Sequence, residues 1–467
     1  MNKNSEINEN IEIENESNHL SNNENVPVKK RYVRILLHFF HFDILFNTIN
    51  VFVLLAVFPL LVTSPIFNPF KNALSDFNIT DIYFSKILPT LDIPKETDIV
   101  IINTGIPTSN GIELIGNFTL AKLISKVNEY SPTTVGINQI LKKDTSEQGE
   151  FINYYLKNTL DETKNLVLKC RLSNYNIEND AYGQIAKSDS MFLGNAVIGA
   201  TNYLKEKDKR YSTIRDFYPK LKYSSQDKSK NNDITYYSFG LLLAKNFNPN
   251  AIERLLDRNN SKETINFIGN KEKFEIIDAV DVLEDYVDMN IFKNKIVLLA
   301  PLDTSGTSDE LDRIYYTPLN ERSAGRTFAD MYEVIIQANI ISMLLTDRYF
   351  DEMSDNLSYF CAFVLCYINL ALFKYISDKN KKLFEISALI IFSLTSIFIA
   401  YATVHFFYEY KYELRLTLAI VTSALSLFVF EIYYDTVKPL VLRFFTYLFS
   451  FKIFNFFREF KNKKINI

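Results

Sequence analysis

Tryptophan is absent from this sequence, and 467 residues carry only three cysteines, four histidines and twelve glycines. The histidines are His19, His38, His41 and His405, so the long stretch between about Phe70 and Asp351 has none. Histidine is the commonest general base and an obligate member of the Ser-His pairing, so its absence there removes the usual hydrolytic machinery. Cys170 stands alone in the same stretch, while Cys361 and Cys366 lie in an apolar run, which leaves no internal disulfide and no cysteine pair with metal-ligand spacing. A eukaryotic ectodomain of such length usually carries several bridges. Together with abundant Asn, Lys and Ile, this points to an AT-rich bacterial genome. No phosphate-cradling loop, dinucleotide fingerprint or HExxH is present. Net charge is -4, and no basic stripe interleaved with aromatics occurs away from the apolar runs, so nucleic acid is not an expected partner. We expect no enzyme, no cofactor and no metal.

What the chain does have is long apolar runs. Four stretches, Ile44 to Thr63, Leu357 to Ile376, Phe384 to Thr403 and Leu414 to Tyr434, each approach the ~20 residues that cross a bilayer as a helix. Lys and Arg crowd the flank before the first run, the link at Lys374 to Lys382 and the segment after Tyr434. The positive-inside rule puts all three in the cytoplasm. Both termini then lie inside, the first run is an uncleaved anchor, and His405 to Glu413 forms a short external turn. The expected layout is a disordered acidic tail at 1–28, a basic flank and first span at 29–66, and an extracytoplasmic domain at 67–352. Three further spans at 353–437 and a basic, aromatic interfacial tail at 438–467 complete it. The lipid bilayer of the inner (plasma) membrane is the first expected partner.

The external segment alternates strand-like and helix-like runs. Asp98 to Gly105, Thr133 to Leu141, Asn165 to Cys170, Asn195 to Ala200, Ile265 to Gly269 and Lys295 to Ala300 read as buried strands. Phe118 to Tyr130, Ser238 to Phe247 and Ala329 to Leu345 read as helices, and the last leads within a few residues into the second span. Such alternation predicts an α/β domain, a mostly parallel sheet with covering helices, carried on four transmembrane helices.

The candidate chemistry gathers at strand ends. "LDTSGTSDELD" follows an apolar strand and holds Asp303, Asp309 and Asp312, without EF-hand spacing, so we read it as a pocket rim in preference to a cation site. Arg215, Arg313, Arg322 and Arg326 are positioned to clamp an anion, although surface solvation is the commoner role of such residues. Cys170 ends an apolar strand, where a buried structural thiol is the ordinary outcome. In the membrane, Asn50, Asn369, Ser387, Thr395 and Ser423 are expected at helix contacts.

Several of these stretches, taken in order, resemble the CHASE2 extracellular sensory domains of bacterial membrane receptors. "IVIINTG" resembles the opening strand of that family, and "FTLAKLISKVNEYSPTTVGINQIL" its helix, turn and second strand. "GNAVIGATNYLKEKDKRYSTIRDFYP" resembles a strand with a loop closing on Arg215. The run from Lys293 to Leu345 resembles the closing strand, acidic loop, "TPL" turn and final helix. Three membrane helices commonly follow, as here. Asn103 and Asn138 stand where family members often carry Asp, which keeps size and hydrogen bonding but removes charge. Asn103, Asn138, Arg215, Asp303, Asp309 and Asp312 are accordingly the expected ligand-binding set. The resemblance implies a sensor that binds an unknown external small molecule or protein and signals through its transmembrane helices to a separate cytoplasmic effector; a homo-oligomer is compatible with this layout. The alternative is a non-signalling structural or assembly subunit of an envelope complex, and a carboxylate-based hydrolase is a third.

Overall fold

The computed structural model describes residues 42–61, 78–108, 111–203, 212–225, 233–302, 314–320, 328–441, 443–444 and 447. The tail at 1–28, its basic flank, the segment after 447 and the acidic loop of Asp303 lie outside these residues. The chain divides into two compact units: Pro69–Glu352 with Val404–Glu413, and Met1–Asn68, Met353–Thr403 and Leu414–Ile467. The main helices are α1 (Phe42–Leu61), α2 (Asn117–Glu129), α3 (Gly149–Glu162), α4 (Phe239–Phe247), α5 (Glu333–Leu345), α6 (Asp355–Lys379), α7 (Lys381–Tyr410) and α8 (Thr417–Glu431). The main strands are β1 (Ile99–Asn103), β2 (Thr134–Ile137), β3 (Leu166–Asn176), β4 (Ala181–Lys187), β5 (Val197–Ala200), β6 (Lys220–Ser224), β7 (Asp233–Tyr237), β8 (Glu275–Asp278) and β9 (Ile296–Ala300).

In the unit holding the sheet, these nine strands run in the order β7-β6-β4-β3-β2-β9-β1-β8, with β5 beside β3. From β3 to β8 every pairing is parallel. Such strands are covered on both faces, which is why "IVIIN" and "IVLLA" are apolar at every position and buried throughout. One core packs α4 and α5 on Ile99, Ile101, Ile296 and Leu298; a second packs α2 and α3 on Val100, Ile102, Val297 and Leu299. The antiparallel margin, where β3 pairs with β4 and β6 with β7, is more polar and was not foreseen. Close packing of α4 on the sheet depends on Gly199 in β5, where an added Cβ would lie 2.6 Å from Phe239 Cα. Gly199→Ala is therefore expected to cost about 1–3 kcal/mol, because backbone must move to admit the methyl. A lowered urea midpoint with an unchanged slope would show it.

Ile265–Gly269 is not a strand beyond the two-residue Glu263–Thr264 pairing. Its apolar side chains are buried as expected, but its backbone finds other partners. Ile265 N donates to Arg215 O, and Ile268 N donates to Asn339 Oδ1 of α5 at 2.8 Å. A side chain here does the work of a neighbouring strand, which an apolar pattern cannot announce.

The turn expected between the last two spans joins the sheet-bearing unit's core. Phe407, near the end of α7, is fully buried and stacks on Phe350 with ring centroids 4.1 Å apart. Phe84 and Tyr83 meet its edge at 5.7 and 5.3 Å. Beyond α7, Lys411 adopts a left-handed φ of 52°, and Tyr412–Glu413 pairs parallel with Asp351–Glu352.

Among the described residues, three helices are long and apolar enough to cross a membrane: Asp355–Lys379 and Thr417–Val441 in the other unit, and Leu383–Tyr410, whose residues from Val404 on belong to the sheet-bearing unit. The described apolar part of α1, Phe42–Val57, is shorter, so among the described residues three spans and not four stand on length and composition. Ile44, Val51, Leu370, Phe373 and Phe430 form a shared apolar cluster among α1, α6 and α8. Asn369 Nδ2 donates to Ser423 Oγ at 2.9 Å, and Thr395 Oγ1 reaches Asn369 Oδ1 at 3.5 Å, so these three meet as expected.

Candidate functional site

The register of the parallel strands brings a polar row to their carboxyl ends. Asn103 pairs with Asp278 on one side and Ala300 on the other. Asn138 follows Ile137, which lies level with Leu299 and Leu168, so the next rung carries Ala300, Asn138 and Lys169 together. Residues level across a sheet share a face, here the face covered by α4 and α5. Chains leaving β1 and β2 pass to helices on one face, while the chain leaving β9 reaches α5 on the other. Open α/β sheets form their binding crevice where such connections diverge.

The two asparagines have different employment there. Asn103 is committed to the fold: its Oδ1 accepts from Gly105 N and Leu302 N, both at 3.0 Å, and its Nδ2 donates to Asp278 Oδ1 at 2.9 Å. Asn138 is 5% exposed, and its Oδ1 has no partner among the described residues. Leaving a buried carbonyl oxygen unpaired costs about 1–3 kcal/mol. Its neighbours Thr104 Oγ1 and Gln139 Oε1, on the carboxyl ends of the same two strands, are likewise buried without partners. Native structures keep few such groups, so the Asn138 oxygen calls for an occupant, water or ligand.

Asn138 lines a small open cleft with Lys169, Ala300, Pro301, Glu333 and Val334, whose volume of about 10 Å³ is on the scale of one water molecule. Across it Lys169 Nζ and Glu333 Oε1 form a buried ion pair at 2.7 Å. Glu333 opens α5, whose preceding Tyr332 provides no side-chain cap, so the cleft also faces the positive end of a helix. Behind it, Tyr203 hydroxyl donates to Glu333 O at 3.3 Å and accepts from Gln337 Nε2 at 2.7 Å, while Gly240 N donates to Gln337 Oε1. Burial, then the charge of Glu333, holds the Tyr203 phenol far above its ordinary range, so it stays a neutral donor.

Of the described members of the expected binding set, Asn138 alone lines this cleft. Arg215 is engaged elsewhere, its Nε and Nη2 clasping Asp81 at 2.8 and 2.5 Å. Asp303, Asp309, Asp312, Arg313, Arg322 and Arg326 lie outside the described residues. Among the described residues no group of three metal-ligating side chains occurs. Lys169, Glu333, Tyr203 and Gln337 escaped the sequence reading. The available signal was a single Lys inside the apolar run "NLVLKC" and a Glu opening a helix that is otherwise almost wholly buried. Cys170 is fully buried, and burial pushes its thiol up to about 12. In a chain carrying Cys361→Ser and Cys366→Ser, a thiol reagent at pH 8 should leave it unmodified until denaturant is added; rapid native-state labelling would contradict this.

The model of one family, the CHASE2 domain, matches residues 52–371, more than half of the chain. No curated protein and no solved structure matches.

Proposed function

This chain belongs to the CHASE2 family of sensory domains, and from that premise we propose that it is a membrane sensor whose ligand enters the cleft at Asn138. The observation that carries the reading is the unpartnered Asn138 amide beside the buried Lys169–Glu333 pair, at the strand ends where sheets of this class bind ligands. Occupancy changes the free energy of the pair, and thereby of α5, in one of two states; only such a difference can drive a transition. Helix α5 runs from Glu333 to Leu345, and Phe350 just beyond it stacks on Phe407 of α7. Helix α7 also contains an apolar stretch long enough to span the bilayer, so the chain itself carries the signal towards a separate cytoplasmic effector. In this reading α1 is a fourth span, both termini are cytoplasmic and the sheet lies outside the cell membrane. A cysteine placed at Asn380, between α6 and α7, should then be labelled by an impermeant reagent only after the cells are opened.

The reading is tested by thermal unfolding of the full chain in nanodiscs against a panel of small polar metabolites, since a ligand of the native form raises the midpoint by mass action. A shift abolished by Asn138→Leu supports it; a shift indifferent to that change removes the cleft from consideration. One observation favours a docking subunit instead. Phe151 and Tyr154 on α3 are 64% and 63% exposed, beside Phe118 and Tyr155. Constitutive copurification with one protein, lost on Phe151→Ser/Tyr154→Ser, together with no ligand-induced shift, would favour that role.

A further inference from the structure

We propose that Arg348, Lys411 and the Tyr83 hydroxyl form a binding site for a phosphate group, carried by a lipid or free in solution. All three belong to the sheet-bearing unit, and the site is separate from the cleft at Asn138. Donors gather here without acceptors. Arg348 Nε donates to Thr346 Oγ1 at 2.6 Å and its Nη2 donates to Ser342 Oγ at 3.1 Å, both of them uncharged. Those bonds orient the guanidinium fork without neutralising it. Lys411 Nζ donates to the Tyr83 hydroxyl at 3.4 Å and lies 5.1 and 5.6 Å from the ring centres of Tyr83 and Tyr408. Ring faces offset an ammonium only in part. Tyr83 is 3% exposed, and its hydroxyl hydrogen has no acceptor among the described residues.

Among the described residues neither Arg348 nor Lys411 has a carboxylate at ion-pair distance; Glu96 and Glu409 act on them from further away. Glu96 is committed elsewhere: its Oε1 accepts from Thr97 N and Asp98 N at 3.0 and 3.1 Å, and its Oε2 accepts from Ser342 Oγ. Burial, and then the like charge of Arg348, holds the Lys411 ammonium below its ordinary range, and burial likewise lowers Arg348. Two half-buried cations that repel each other are costly until a counter-ion joins them. The complement to this set carries negative charge and only accepts hydrogen bonds. Chain position points to its chemistry. Lys411 directly follows the apolar span Leu383–Tyr410, and Arg348 stands a few residues before the span that opens at Asp355. Residues so placed stand at headgroup level, where lipid phosphates lie.

The full chain is purified in a maltoside detergent and washed until a phosphorus assay finds no carried lipid. Its unfolding midpoint is then recorded, at matched ionic strength, with dioctanoyl phosphatidylglycerol, inorganic phosphate or dioctanoylglycerol. Phosphatidylglycerol should raise the midpoint, and dioctanoylglycerol, which has the same chains and no phosphate, should not. A rise with inorganic phosphate as well assigns the site to phosphate from either source; a rise with the lipid alone assigns it to the headgroup. Arg348→Gln/Lys411→Gln should weaken apparent binding by about tenfold or more, and Tyr83→Phe, which removes only the hydroxyl, severalfold. Without ligand, Lys411→Gln should unfold no lower than the wild type, because it relieves the repulsion. No rise with either phosphate compound overturns the site, as does a rise that dioctanoylglycerol matches or that survives the double variant unchanged. If the double variant does not fold, Lys411→Gln alone decides, and undiminished affinity in it overturns the site. A midpoint well below the wild type in ligand-free Lys411→Gln overturns the premise that this cation waits for a partner.

Discussion

Phe407→Ala lowers the unfolding midpoint of the sheet-bearing unit by on the order of 10 °C. The ring is fully buried, stacked on Phe350 and met edge-on by Phe84 and Tyr83, so its removal leaves a cavity walled by aromatic faces. Phe-to-Ala changes in such cores cost about 3–5 kcal/mol, and each kcal/mol moves the midpoint of a domain this large by about 2–4 °C. With no tryptophan to report unfolding, calorimetry of the full chain in nanodiscs is the suitable measurement. Phe406→Ala is the control: the adjacent ring is exposed and should shift the midpoint by less than a degree or two. Equal effects of the two would mean that the segment Val404–Glu413 is a mere connection and not part of the core. In that case the route from α5 through Phe350 to α7 would lose its physical basis.

That segment also shows where sequence reading stops. "IVIIN" and "IVLLA" declare themselves because a strand covered on both faces must be apolar at every position, and few other environments demand this. Helix α2 declares itself through Leu120, Leu123, Ile124 and Val127 at helical spacing, all of them buried. Phe407 carries no such local mark. It sits in His405 to Glu413, a stretch that reads as a short external turn, and its partners Phe84 and Phe350 are far away in sequence. Helix α3 was missed for a related reason: its buried face includes Asn153 and Thr159, and polar core positions dilute the apolar period. In the candidate site, Asn103 and Asn138 were legible through the resemblance, which sets them where related domains often carry Asp. Which of the two is occupied was not, since it depends on whether Gly105 and Leu302 present their N–H groups to Asn103.

Lys169 and Glu333 are predicted to show the second large effect, one whose sign pattern is diagnostic. Lys169→Met alone takes the ammonium 2.7 Å away from the buried Glu333 carboxylate, and Glu333→Leu alone takes that carboxylate away from the buried ammonium. Breaking one side of such a pair costs about 3–5 kcal/mol, whereas replacing both sides with apolar groups of similar volume is often neutral or stabilising. The double variant should therefore unfold near the wild-type urea midpoint, while each single variant falls well below it. The coupling between the two changes would be several kcal/mol, far above the few tenths expected of independent sites. If instead the two losses simply add, each side chain is held by its other neighbours and the pair is not a unit. A fold that keeps a replaceable ion pair beside an unpartnered amide gains little stability from it.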